Sequence, residues 1–249
     1  MTELYKRDTY KNPNISYVFN QPIIEYDMKD AGFSIAQKYG LITKKEVKKL
    51  SSVGKQERRV LLGNIQRDRE KVKLGIAAGF IESRRLFFKE NDISDEDVIS
   101  IKRDAIFLIG YVKTERLDPF IHFRQKNVYS SFIKLGKIEL FYNSNKIDVK
   151  GIGDDIIEKH EGYMLDFLNT FFKKMEGSDR TTTLNFLRVF MDNYRLGKLD
   201  REYYREFNAG SKFRYIDGTL TDVDYMDDFG MIDISCNYKI ITDLVKIAI

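Results

Sequence analysis

Residues 22–35 read PIIEYDMKDAGFSI. The run Ile23-Ile24-Glu25-Tyr26 is β-type and apolar but for Glu25, follows a proline and ends on a carboxylate, so 22–27 predicts a short buried strand that delivers Asp27 to its end. Residues 29–39 continue as a helix. A second passage answers the first. Residues 98–101 (VISI) and 105–112 (AIFLIGYV) are β-type runs on either side of Lys102-Arg103-Asp104, which predicts a hairpin with a carboxylate near its tip. Each acid also has an ordinary reading: Asp27 as the cap of the following helix, Asp104 as a turn residue.

Thr43 is placed to cap a short helix, TKKEVKKL. Residues 55–90 carry apolar positions at Val60, Leu61, Ile65, Val72, Ile76, Phe80 and Leu86, which predicts one long helical stretch with Gly63, Gly75 and Gly79 as points of kinking. Ser94-Asp-Glu-Asp reads as a turn. Strands are expected at 128–135, at 137–142 and, after the turn Asn143-Ser-Asn-Lys, at IDVKGI. Helices are expected at 155–175, 181–196 and 200–207, and the tail 213–249 has no clear pattern. The order predicts an α+β protein: residues 1–152 as one sheet-containing unit with a helical insertion at about 41–90, and 153–249 as a mainly helical unit.

The chain has 249 residues and a net charge of +4. Residues 41–90 hold fourteen Lys or Arg against six Asp or Glu, so the rest of the chain is net negative. Such segregation is the footprint of a polyanion partner, or a lysine-rich solvated helix face. No apolar run reaches the roughly 18 residues a membrane span needs, and MTELYKRDTYKNPN has no apolar signal-peptide core. One cysteine, Cys236, and two histidines, His122 and His160, exclude a disulfide framework and argue against a zinc site. These features predict a protein of a reducing, cytoplasmic setting.

Two carboxylates on facing strands suit phosphoryl transfer, where charge neutralisation by a metal pair outweighs covalent help. Mg2+ or Mn2+ fits, because hard ions take oxygen ligands and share them with substrate phosphates. Gln66, Arg69, Lys73 and Phe80 stand at spacings of 3, 4 and 7, so they share one helix face that would present cations to a triphosphate. The amides of Lys29 to Gly32, at the start of a helix, are a second candidate phosphate contact.

The same residues resemble family B DNA polymerases. Asp27-Met-Lys-Asp-Ala-Gly-Phe-Ser-Ile35 is similar to the family's motif A, D-x-x-S-L-Y-P-S-I. Asp104-Ala-Ile-Phe107, after Ser100-Ile-Lys-Arg, resembles motif C, Y-G-D-T-D-S-I-F, with Asp104 at its second acid. Lys73-Leu-Gly-Ile-Ala-Ala-Gly-Phe80 is similar to motif B, K-x-x-x-N-S-x-Y-G. Lys126-Asn-Val-Tyr129 and Ile147-Asp-Val-Lys-Gly151 resemble the K-x-Y segment and the D-x-K-G strand. The pieces stand in the family's order over about residues 20–155.

The resemblance implies a polymerase-type palm with an antiparallel sheet, a short fingers-like insertion and a helical thumb-like region. It implies metal binding by Asp27, Asp104 and the Met28 carbonyl. Lys73, with Arg69 beside it, would meet the triphosphate, Phe80 the incoming base, and Lys126 and Tyr129 the primer strand. Arg180, Arg188, Arg195, Lys198, Arg201 and Arg205 would be thumb-like phosphate contacts, whereas Tyr163, Met164, Phe167, Phe171 and Phe172 read as core. His122 and His160 read as structural or surface residues. The partners implied are primer–template nucleic acid and nucleoside triphosphates, in a phage or mobile-element replication setting.

Three positions depart from the pattern. Lys102 stands where motif C has its first acid, Ala77-Ala78 where motif B has Asn-Ser, and Gly32 where motif A has the tyrosine that blocks a ribose 2′-hydroxyl. Gly32 therefore predicts acceptance of ribonucleotides unless Phe33 takes over the block. Two other readings stay open: a non-catalytic nucleic-acid-binding subunit of a replication complex, and an unrelated α+β binding protein.

Overall fold

The computed structural model describes residues 3–144, 146–158, 160–204 and 236–249. The chain forms two compact units. The first comprises Met1–Asn14 and Pro22–Val128, the second Ile15–Gln21 and Tyr129–Ile249.

The first unit is built on a five-stranded sheet. Its strands are β1 (Thr9–Lys11), β3 (Ile23–Met28), β4 (Val98–Lys102), β5 (Ala105–Ile109) and β6 (Phe123–Tyr129), in the order β1-β4-β5-β3-β6. The pairs β1–β4, β4–β5 and β3–β5 are antiparallel. Alternation sorts the side chains. Ile24, Tyr26 and Met28 of β3, with Ile101, Ile106, Leu108 and Phe123, join one core with Ile35, Leu62, Val72, Ile76, Phe87 and Phe88 of the helices. Helices α1 (Ala31–Lys38), α2 (Lys44–Ser51), α3 (Lys55–Asp68) and α4 (Glu70–Glu90) thus back one face of the sheet. The opposite face receives the intervening residues, Glu25 and Asp27 among them.

Helix α2 starts as its sequence predicts. The Thr43 hydroxyl accepts from the Glu46 amide, and the Glu46 carboxylate accepts from the Thr43 amide. The expected single helix over 55–90 is instead two. Arg69 takes extended backbone (φ −133°, ψ 96°) between α3 and α4, and its guanidinium donates to Glu46 at 2.7 Å. The glycines are not the break; Gly75 and Gly79 serve packing, against Leu41 and Ile35, and Gly63 faces open space. A Cβ at Gly79 would lie 2.3 Å from Cγ2 of Ile35 and 3.0 Å from the Tyr39 ring. Gly79→Ala is therefore expected to force α1 and α4 apart at a cost of about 1–3 kcal/mol, read as a lowered midpoint in urea denaturation; an unchanged midpoint would refute this packing.

The second unit has its own four-stranded sheet, β2 (Tyr17–Val18), β7 (Ser131–Leu135), β8 (Ile138–Asn143) and β9 (Lys146–Lys150), in the order β2-β7-β8-β9, with every pair antiparallel. Helices α5 (Asp154–Glu158), α6 (Met164–Gly177), α7 (Arg180–Arg195) and α8 (Cys236–Ala248) complete it. This moves the boundary expected at 152. Strands 131–150 bury Ile133, Leu140, Tyr142 and Val149 in one core with Met164, Phe167, Phe171, Phe172 and Leu187, so sheet and helices here are one unit. Phe172 stacks on Tyr142 at 4.8 Å, and the aromatics expected in the core lie there or, for Tyr163, against the Tyr203 ring. Of the helix expected at 200–207, a 3-10 turn at Arg201–Tyr204 is seen, and Arg205 lies outside the described residues. The tail 213–249 is described only from 236, where α8 begins.

Candidate active site

Of the acids expected to converge, Asp27 stands near the end of β3 and Asp104 in the turn that leads into its neighbour β5. In the β3–β5 register Asp27 lies opposite Ala105, the residue after Asp104, and the Met28 amide donates to the Asp104 carbonyl at 3.1 Å. Lys102 also lies opposite Ala105, leaving Arg103-Asp104 as a two-residue turn with Arg103 at a left-handed φ of 57°. Asp27 caps no helix: the residue before α1 is Asp30, and it makes no side-chain cap. The turn is anchored from below. Arg84 of α4, 1% exposed, donates to the Arg103 carbonyl at 3.1 Å and to Asp8 at 3.2 Å. The Arg103 amide donates to the Asp8 carbonyl at 2.7 Å.

Around the acids the sheet face is charged in rows. Ala105 is flanked by Lys102 on β4 and Asp27 on β3, and Arg124 of β6 stands 3.6 Å from Asp27. In the next row Phe107 lies between Ser100 and Glu25. Glu25, a buried carboxylate, accepts from Lys126 at 2.8 Å and Asn127 at 2.6 Å. The Lys126 ammonium is held above its ordinary value, first by the Glu25 bond, with the charges of Asp27 and Asp104 adding to it. Three carboxylates and the cations of Arg124, Lys126 and Lys102 thus share one patch of the first unit.

Burial pushes the Asp27 carboxyl above its ordinary value of 3.8, and the Asp104 charge pushes it further; Lys126 and Arg124 only partly offset this. The fold therefore binds a proton at Asp27 more tightly than the unfolded chain does. Its stability falls as pH rises from about 3.8 through the raised value, and stays reduced above it. Asp27→Asn is thus expected to raise the melting temperature at pH 7 and to change it little below pH 3.8. An Asp27→Asn protein less stable than wild type at pH 7 would contradict the sign.

The other expected residues are placed as follows. Because the helix breaks at Arg69, Gln66 and Arg69 do not continue the face of Lys73 and Phe80. Arg69 binds Glu46 on α2, Lys73 is exposed with Glu70 at 3.7 Å, and Phe80 packs half-buried against the core. A Cβ on Gly32 would meet Cδ2 of Leu62 at 3.2 Å, so this glycine lets α1 approach α3. The Lys29 amide donates to His122 at 2.9 Å and Asp30 holds Arg58 at 3.0 Å. An occupied amide and a carboxylate at the start of α1 disfavour the phosphate seat expected there. His122 sits 3.4 Å from Glu115, and His160 is buried. Tyr129 belongs to the second unit, where its hydroxyl donates to Asp148 at 2.7 Å. The Arg180 guanidinium is taken by the Ala248 carbonyl at 2.7 Å.

Among the described residues no three His, Cys, Asp or Glu side chains group as a metal cage, and no helix is long and apolar enough to cross a membrane. Fold and site together define an α+β protein whose first unit is a helix-backed antiparallel sheet with an acid pair at one hairpin end. The chain belongs to the bacteriophage PBS1 gene 130 protein family, whose model matches residues 1–249. No curated protein matches the sequence.

Proposed function

We propose that the first unit is a polymerase-type palm and the protein a template-directed nucleotidyltransferase of phage replication. The observation that carries this reading is the adjacency of Asp27 and Asp104 at one end of a sheet backed by helices on its other face. The donor set suits Mg2+. Two hard oxygen donors carry a like-charge repulsion that a divalent ion relieves, and Mg2+ fills its remaining positions with water and substrate phosphate. Met28 has a buried side chain, so only its carbonyl would join them. When bound, the metal pair supplies neutralisation of the attacking and leaving oxygens.

The chain's own residues do the rest. Asp27 and Asp104 fix where the α-phosphate sits relative to a primer 3′-hydroxyl. That oxygen forms the new bond to phosphorus as the bond to pyrophosphate breaks, and the hydroxyl proton leaves to solvent. Lys126 and Arg124 are half-exposed cations beside the acids and would meet the phosphates. Gly32 offers no ring to exclude a 2′-hydroxyl, so ribonucleotides would be accepted.

Primer extension on DNA and RNA templates, with NTPs or dNTPs and Mg2+ or Mn2+, tests the reading. Template-dependent incorporation is expected, with NTPs used at least as well as dNTPs. A strong dNTP preference would overturn the role of Gly32. No incorporation in any combination would favour the second reading, a nucleic-acid-binding subunit without catalysis. Lys102 in place of an acid, and Arg124 3.6 Å from Asp27, are the observations behind that alternative.

A further inference from the structure

Helix α2 spans eight residues and carries Lys44, Lys45, Lys48 and Lys49, all exposed. Lys44–Lys48 and Lys45–Lys49 are like-charge pairs at i,i+4, and Lys55–Arg59 at the start of α3 is a third. Such pairs weaken a helix. The helix's one acid does not relieve them: Glu46 accepts from Thr43 and from Arg69, which hold its carboxyl below the usual range. None of the six cations forms an ion pair among the described residues. The helix buries only Leu50 and is held by its capping box. A short helix that keeps four mutually repelling lysines in solvent has a surface whose charge is not explained by its own stability.

We infer that the exposed face of α2, with Lys55 and Arg59, is a seat for the phosphate backbone of nucleic acid, built from residues other than the acid pair. The inference deepens the proposed function and rests on its nucleic-acid partner, though not on catalysis. Four cations on one exposed helix face, with two more at the start of the next helix, suit a repeating phosphate chain and carry no base specificity. The exposed Val60 beside Arg59 adds apolar contact for sugar or base without selecting a sequence.

The test is fluorescence anisotropy of a labelled 20-nucleotide DNA strand, and of its duplex, across a salt series. It compares wild type with the quadruple variant K44Q/K45Q/K48Q/K49Q. Glutamine keeps helix propensity, and removing the like charges is expected to hold or raise the melting temperature. The quadruple variant is expected to bind at least about tenfold more weakly at low salt, with the slope of log affinity against log salt shallower by about 3. Unchanged affinity and slope in the quadruple variant would overturn the seat even if incorporation is seen. Wild type that binds phosphatidylserine vesicles but neither DNA form would overturn it in favour of a membrane surface.

Discussion

Asp27→Asn and Asp104→Asn are each expected to lower nucleotide incorporation by about a thousandfold or more while leaving nucleic-acid binding intact. The size follows from what a metal pair contributes: losing one ligand's charge removes several kcal/mol of transition-state stabilisation, and each 1.4 kcal/mol is tenfold in rate. Asparagine keeps the shape of the site. At position 27 it also removes a half-buried charge beside Asp104, so the variant should fold at least as well as wild type. Lost activity then cannot be assigned to a lost fold. Asp104 lies on a turn whose backbone is fixed by Arg84 and Asp8, so its asparagine variant should keep the turn. Single-turnover incorporation beside DNA affinity separates the outcomes. Variants retaining a tenth or more of wild-type incorporation would mean that these carboxylates do not hold the reacting metal.

Phe87→Ala is expected to cost about 3–5 kcal/mol of stability. Phe87 is fully buried on α4, stacks on Phe123 at 4.2 Å and meets Tyr26 at 5.6 Å. It thereby ties the helix layer to β3 and β6, the strands that carry Asp27, Arg124 and Lys126. A domain is stable by only about 5–15 kcal/mol, so the truncation takes a large share. Urea denaturation followed by circular dichroism checks it. A loss under about 1 kcal/mol would show that the Phe87–Phe123 stack is not the joint between the helices and the sheet.

Several elements are legible in the sequence because local chemistry determines them. The proline-led apolar run fixes β3, and Thr43 with Glu46 three residues on fixes the start of α2. The strand that ends near Asp27 and the hairpin that carries Asp104 each read clearly, whereas their adjacency is a strand pairing that only the resemblance implied. The break at Arg69 is not legible: Ile65 and Val72 are seven residues apart, two helical turns, so the apolar phase runs through the break as if the helix continued. Glu25, Arg84 and Arg124 are missed for another reason. Glu25 meets Lys126 and Asn127 a hundred residues away through sheet pairing, and an apolar pattern does not specify which strand lies beside which. Gly32 shows the same limit. Read locally it is a missing ring, yet a Cβ there would press on Leu62 of α3. The division at Val128 also escapes the sequence, since strands of both units share one alternating pattern and only their cores separate them.

The proposed function requires that the side chains at 27 and 104 jointly hold divalent cations for phosphoryl transfer. Electron paramagnetic resonance titration of Mn2+, with a nucleoside triphosphate present, tests it on wild type and on the D27N/D104N double variant. Protein-bound Mn2+ is expected in wild type and its loss in the double variant. Equal Mn2+ uptake by both proteins, or none by wild type, would contradict it.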